Sequence, residues 1–162
     1  MTALKSDNVV LRLLIIGIGN PLRSDDGLGL HIAHELLGEP LPDSIRVIAA
    51  QQLTPELSEL ASRAEHVLFI DATRVGTPGT LSCEEIHPAA PSGRHSHDLT
   101  PATIVQMAQT LYGRCPTAHL LTIVGESFAT GDALSPAVTA VLPALKARIR
   151  GFIEGEAKEE NG

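Results

Sequence analysis

Val9-Val10-Leu11-Arg12-Leu13-Leu14-Ile15-Ile16-Gly17-Ile18-Gly19-Asn20-Pro21-Leu22-Arg23-Ser24-Asp25-Asp26-Gly27 is the stretch that decides the fold class of this chain. Val9 to Ile16 is a short apolar run that reads as a buried strand, stopped by Gly17 and Gly19. From Asp26 to Leu37 the period changes. Leu30, Ala33 and Leu37 fall on one helical face until Gly38, Pro40 and Pro42 stop the pattern. A buried strand that passes through a glycine-rich turn into a helix is the opening of an α/β protein.

Working outward, the same alternation continues. A second strand is expected at Ser44 to Ala50, then a helix start at Thr54-Pro55-Glu56-Leu57, with Thr54 as N-cap and Pro55 in the first helical position. His66 to Ile70 reads as a third strand ended by Asp71, and Thr80 to Ile86 as a fourth, after the turn Gly76-Thr77-Pro78-Gly79. His87 to His97 holds prolines, a glycine and three histidines and reads as a long loop. Helix returns from Leu99 to Tyr112, with Asp98 as its expected N-cap; Ala118 to Val124 is the last strand. The final helix starts at Ser135-Pro136 and runs towards Ile149, with a bend expected near Pro143. Strands alternating with helices predict a three-layer α/β/α arrangement around a mostly parallel, twisted five-stranded sheet. One domain is expected over residues 1–162, with about 155–162 a charged, frayed tail.

Composition narrows the function classes. Aromatic residues are 2% of the chain, so the core must be aliphatic, and base-stacking platforms for single-stranded nucleic acid are not expected. The formal net charge of −7 repels phosphate backbones, so no nucleic-acid partner is expected. Cys83 and Cys115 form no disulfide framework and no paired-cysteine metal knuckle, and read as reduced thiols. The apolar run Leu13 to Ile18 is shorter than a secretory core, and no stretch approaches the ~20 apolar residues of a membrane span. A soluble, cytoplasmic protein with no membrane partner is the expectation.

In such folds ligands bind outside the carboxyl ends of the strands, which selects the residues worth weighing. The opening loop lacks the third glycine of a dinucleotide fingerprint, because Leu22 stands there. Asp25 and Asp26 repel a pyrophosphate; they favour a nearby cation or serve as helix caps. Asp71, immediately after Val67-Leu68-Phe69-Ile70, is a carboxylate that is costly to bury unless paired or bound to a cation. In His95-Ser96-His97-Asp98 an imidazole could ligate a metal, act as a base, or sit in a polar loop. Asp26, Asp71 and His97 together make a mixed carboxylate and imidazole set suited to nickel or zinc, with coordination positions left open. By contrast His31-Ile32-Ala33-His34-Glu35 has the wrong order for a zinc helix, and Gly125-Glu126-Ser127-Phe128 is not a serine-nucleophile elbow.

These residues resemble a known family. Gly17-Ile18-Gly19-Asn20-Pro21-Leu22, Asp25-Asp26-Gly27 and Gly29 resemble the opening signature of the nickel–iron hydrogenase maturation endopeptidases. The likeness continues through Phe69-Ile70-Asp71-Ala72, His95-Ser96-His97-Asp98-Leu99, Leu121-Thr122-Ile123-Val124-Gly125 and Leu134-Ser135-Pro136, over roughly residues 11 to 150. The resemblance implies a twisted sheet between helices and an endopeptidase that trims the C-terminal extension of a hydrogenase large-subunit precursor. It implies that Asp26, Asp71 and His97 contact nickel that arrives with the substrate, with no organic cofactor; zinc or cadmium is expected to substitute in vitro. A monomer is expected. Two departures stand out. Gln51-Gln52-Leu53-Thr54-Pro55-Glu56 replaces a glycine-rich segment found in some branches, and Asp26 stands where some members carry Glu.

Rival readings exist. Peptidyl-tRNA hydrolase shares a Gly-x-Gly-Asn-Pro opening but continues with a different run from Leu22-Arg23-Ser24-Asp25-Asp26. A nickel-binding scaffold that holds the loaded subunit without cutting it would use the same three residues.

Overall fold

The apolar run forms β1, Leu11–Ile18, in a computed structural model that describes residues 10–90 and 99–155. Gly17 does not end the strand as expected. A Cβ there would fall inside contact distance of the Gly29 carbonyl, so this glycine serves helix packing instead of termination. A 3-10 turn, Ser24–Gly27, leads into α1, Leu28–Leu37. Then follow β2 (Ile45–Ala50), α2 (Leu57–Ser62), β3 (Ala64–Thr73), β4 (Leu81–Ile86), α3 (Pro101–Tyr112), β5 (Thr117–Val124) and α4 (Pro136–Glu154).

The five strands form one sheet in the order β2-β1-β3-β5-β4. β1 pairs parallel with β2 and β3, and β3 pairs parallel with β5; only the edge strand β4 runs antiparallel, against β5. Leu13, Ile15, Leu68, Ile70, Leu121 and Ile123 face one side, packed against Ile32, Leu36, Leu145 and Ile149 of α1 and α4. Leu14, Ile16, Val67 and Phe69 face the other side, against Leu57, Ala61, Ile104 and Val105 of α2 and α3. The sheet is therefore the middle of three layers, as predicted. Each fully buried aliphatic side chain contributes about 1.5–3 kcal/mol, which lets the core do without many aromatics.

Three element boundaries differ from expectation for local reasons. α2 starts at Leu57, because Leu57 N–H donates to Thr54 O and Ser58 N–H to Pro55 O, so tight turns precede the helix and Thr54 is not its N-cap. α3 takes Thr100 as N-cap, with a reciprocal capping box to Thr103 and Pro101 in the first turn; Asp98 lies outside the described residues. α4 runs past Ile149 to Glu154, with Pro143 inside it. Its last carbonyls, Phe152 O and Ile153 O, accept from the Arg12 guanidinium, and Gly155 closes it in the left-handed region at φ 79°.

This topology positions the site. The chain leaves β1 for β2 on one side and crosses back to β3 on the other, so the carboxyl ends of β1 and β3 flank a topological switch point.

Candidate functional site

Asp26 and Asp71 come together at this switch point, one from the loop after β1 and one from β3. β3 was expected to end before Asp71, but it continues to Thr73 by pairing with β5, Asp71 lying opposite Thr122. The pairing with β1 stops earlier, at Ile70 opposite Gly17. Asp71 is thus held rigidly by a strand on one side and faces the crevice on the other. Its Oδ1 accepts from Ala72 N–H at 2.8 Å.

The Asp71 carboxyl is pushed up to about 7. Burial is the main cause, the Ala72 hydrogen bond opposes it, and the nearby Asp26 carboxylate adds repulsion. Asp26 is itself half-buried, and its Oδ2 accepts from Asn20 N–H at 3.1 Å. A carboxyl whose charge is disfavoured by burial and by a neighbouring carboxylate is one that a cation or a shared proton would stabilise. Hard or borderline divalent ions suit such oxygen donors, and an added imidazole nitrogen shifts preference towards nickel or zinc.

His97, the third expected member, lies outside the described residues, as does His95. Among the described residues no group of three His, Cys, Asp or Glu side chains stands together as a metal cluster. The decoy histidines behave as expected: His31 and His34 lie on the exposed face of α1, and Glu35 pairs with Lys146 at 2.9 Å. Gln51 and Gln52, just past β2, are exposed.

Glycines bring the signature loop close. Gly19 has φ 152°, and a Cβ on it would collide with the Asp26 carbonyl, so only glycine lets the loop fold back onto the acid. Gly29 lets the start of α1 approach the ends of β1 and β3, since its Cβ would meet Ile18 N and O and Ile70 O.

Asp25 has a role that sequence reasoning did not separate from capping. It does not cap α1, whose N-cap is Gly27 without a side-chain bond. It is fully buried at 0% exposure and reaches the β5–α4 loop, more than 100 residues later in the chain. Its Oδ2 accepts from Glu126 N–H at 2.8 Å and Ser127 N–H at 3.0 Å, and its Oδ1 accepts from Ser135 N–H at 2.7 Å. Ser135 is the N-cap of α4, so the carboxylate also sits at the positive end of that helix. Burial alone would raise the Asp25 carboxyl, but hydrogen bonds from the Ser127 and Ser135 backbones, the Ser135 side chain and the Glu126 backbone hold it below the usual carboxylate range. Backbone bonds stitch the same two loops together: Ser24 N–H to Gly131 O at 2.8 Å and Gly131 N–H to Leu22 O at 2.9 Å. Ser24, at φ 53°, takes the strained left-handed turn this requires. Asp25 therefore fixes the loop that presents its neighbour Asp26.

Comparisons with known proteins agree with this fold. No family model matches the chain. Over 146 residues it is 30% identical to the hydrogenase 2 maturation protease of Escherichia coli K12, covering 84% of this chain and 87% of that protein. Among solved structures, an endopeptidase from Escherichia coli is 28% identical with a TM-score of 0.70, over 90% of this chain and 94% of that one. The hydrogenase maturating endopeptidase HybD from E. coli has the same fold at a TM-score of 0.70 and 22% identity, over 90% of this chain and 94% of its own.

Proposed function

Because this chain belongs to the hydrogenase maturation protease family, we propose that it is the endopeptidase that removes the C-terminal extension from a nickel-loaded nickel–iron hydrogenase large-subunit precursor. The observation that carries the reading is the carboxylate pair at the switch point. Asp71 is held rigidly by β5, and Asp26 is presented by a loop that Asp25 locks in place. Asp26 and Asp71, joined by His97, are assigned to contact the nickel that the precursor brings with it. The metal is thus part of the substrate, and its presence reports that loading is complete.

The chemistry follows from the charges. Without a cation, the Asp71 carboxyl is pushed up to about 7 and is only partly ionised near neutral pH. A divalent cation held by Asp26 and Asp71 would favour their charged forms and displace that proton. A cation held there would polarise the scissile carbonyl or acidify an attacking water. A precursor without metal supplies no positive charge to draw the two acids onto the substrate, so it is discriminated against. Zinc or cadmium would serve as stand-ins in vitro. Among the described residues no helix is long and apolar enough to cross a membrane.

The test is the intact mass of purified, nickel-loaded precursor after incubation with the purified chain. The wild type should shorten it by one C-terminal fragment, whereas folded Asp26→Ala and Asp71→Ala variants should leave it whole. Full cleavage by folded Asp71→Ala would remove the metal-recognition reading. A wild type that binds the precursor and leaves its mass unchanged would point to a non-cutting scaffold.

A further inference from the structure

Beside the carboxylate pair, two loops each place an arginine next to an exposed aliphatic side chain. These are Leu22-Arg23 after β1 and Arg74-Val75 after β3, with Leu22 66% and Val75 83% exposed. Both arginines converge on one residue of the β5–α4 loop, Phe128. The Arg74 guanidinium carbon lies 4.1 Å from the Phe128 ring centroid, and Arg23 Nε donates to the Phe128 carbonyl at 3.3 Å. The ring rests over Gly125, where a Cβ would come within 2.5 Å of it. The platform is thus built on the same loop that Asp25 holds.

The charges here are unspent. The chain carries a net −7, and Arg63, Lys146 and Arg150 each have a carboxylate partner. Arg23 and Arg74, like Arg46 and Arg114, have none within ion-pair distance among the described residues, and Arg23 and Arg74 are set apart by meeting on Phe128. Stacking uses the face of a guanidinium and leaves its edge donors available for a carboxylate. An acidic protein repels an anionic peptide over most of its surface, so uncompensated arginines at the rim of a site mark where such a group is welcome.

We propose that Arg23, Phe128 and Arg74 form a subsite that binds a carboxylate of the peptide segment to be removed, while Leu22 and Val75 take its apolar side chains. The identity of that segment rests on the proposed function above. The carboxylate is either the free C-terminus or an acidic side chain of the extension, and both present the same planar anion to the arginine donors.

The experiment uses the full chain and a labelled synthetic peptide spanning the precursor's extension and the residues before the cut. Three forms are compared by fluorescence anisotropy: the free acid, the C-terminal amide, and a form with Asp and Glu changed to Asn and Gln. One neutralised form should bind the wild type about tenfold more weakly than the free acid, and which one it is identifies the source. The Arg23→Gln/Arg74→Gln variant should lose the same factor for the free acid and nothing further for that neutralised form. With loaded precursor, the variant should show a raised KM at a kcat near that of the wild type. Equal binding of all three peptides by the wild type, or unchanged free-acid binding by the folded double variant, overturns the subsite. If the wild type cuts the precursor and the peptide series is flat, the subsite alone falls. If the wild type does not cut, the functional reading falls, and the peptide series still decides the subsite on its own.

Discussion

Replacing Asp71 by Asn should make the metal-free protein more stable at alkaline pH and useless as a processing enzyme. In the folded chain the Asp71 carboxyl is pushed from 3.8 to about 7, first by burial and further by the Asp26 carboxylate. Between those values the unfolded chain has released the proton and the folded chain still holds it. The folded state therefore binds more protons, and stability falls as pH rises across this window. Each pH interval is worth about 1.4 kcal/mol, giving a limit of about 4 kcal/mol by pH 8. Water reaching the half-buried carboxylate screens part of this, so about 2 kcal/mol is the working figure. Asn does not titrate, and its Oδ1 can still accept from Ala72 N–H. The assay is urea unfolding of both proteins with chelator present, at pH 4 and pH 8. Asp71→Asn should match the wild type at pH 4 and exceed it by about 2 kcal/mol at pH 8. An equal difference at both values, or none at pH 8, would refute the claim that the site stores a desolvated, repelled carboxylate.

Asp25→Ala strands Glu126, Ser127 and Ser135 N–H groups and should cost about 3 kcal/mol or more in chemical unfolding. Because the Asp25 carboxyl is depressed on folding, its contribution is complete above the unfolded value of 3.8 and is lost as pH falls through the lower folded value. An acid titration of the wild type should show this, and Asp25→Ala should lack it. Gly29→Ala should fail to fold or melt far lower, since its Cβ would meet the carbonyls of Ile18 and Ile70. Gly38→Ala, whose nearest obstacle is Glu35 O at 3.4 Å, should change the melting temperature little. His31→Ala and His34→Ala, on the exposed face of α1, should shift stability by no more than about 0.5 kcal/mol and leave processing of loaded precursor intact.

The sequence by itself determined the layer order and the strand content. Continuous apolar runs such as Leu13 to Ile16 and Val67 to Ile70 can only be buried on both faces, and a strand covered on both faces needs helices above and below. It also singled out Asp26 and Asp71 as candidates, since both lie beyond apolar strand runs on the side where an α/β sheet has its crevice. Tertiary structure decided the rest. That β3 overshoots β1, leaving Asp71 braced by Thr122 of β5, depends on inter-strand register, which no local pattern encodes. The division of labour between adjacent Asp25 and Asp26 is likewise invisible in sequence. Asp25 is distinguished by three backbone donors from a loop 101 to 110 residues away, and backbone N–H groups are the same in every residue but proline. The convergence of Arg23 and Arg74 on Phe128 has the same origin: three loops far apart in the chain meet only because the sheet brings their strand ends to one edge.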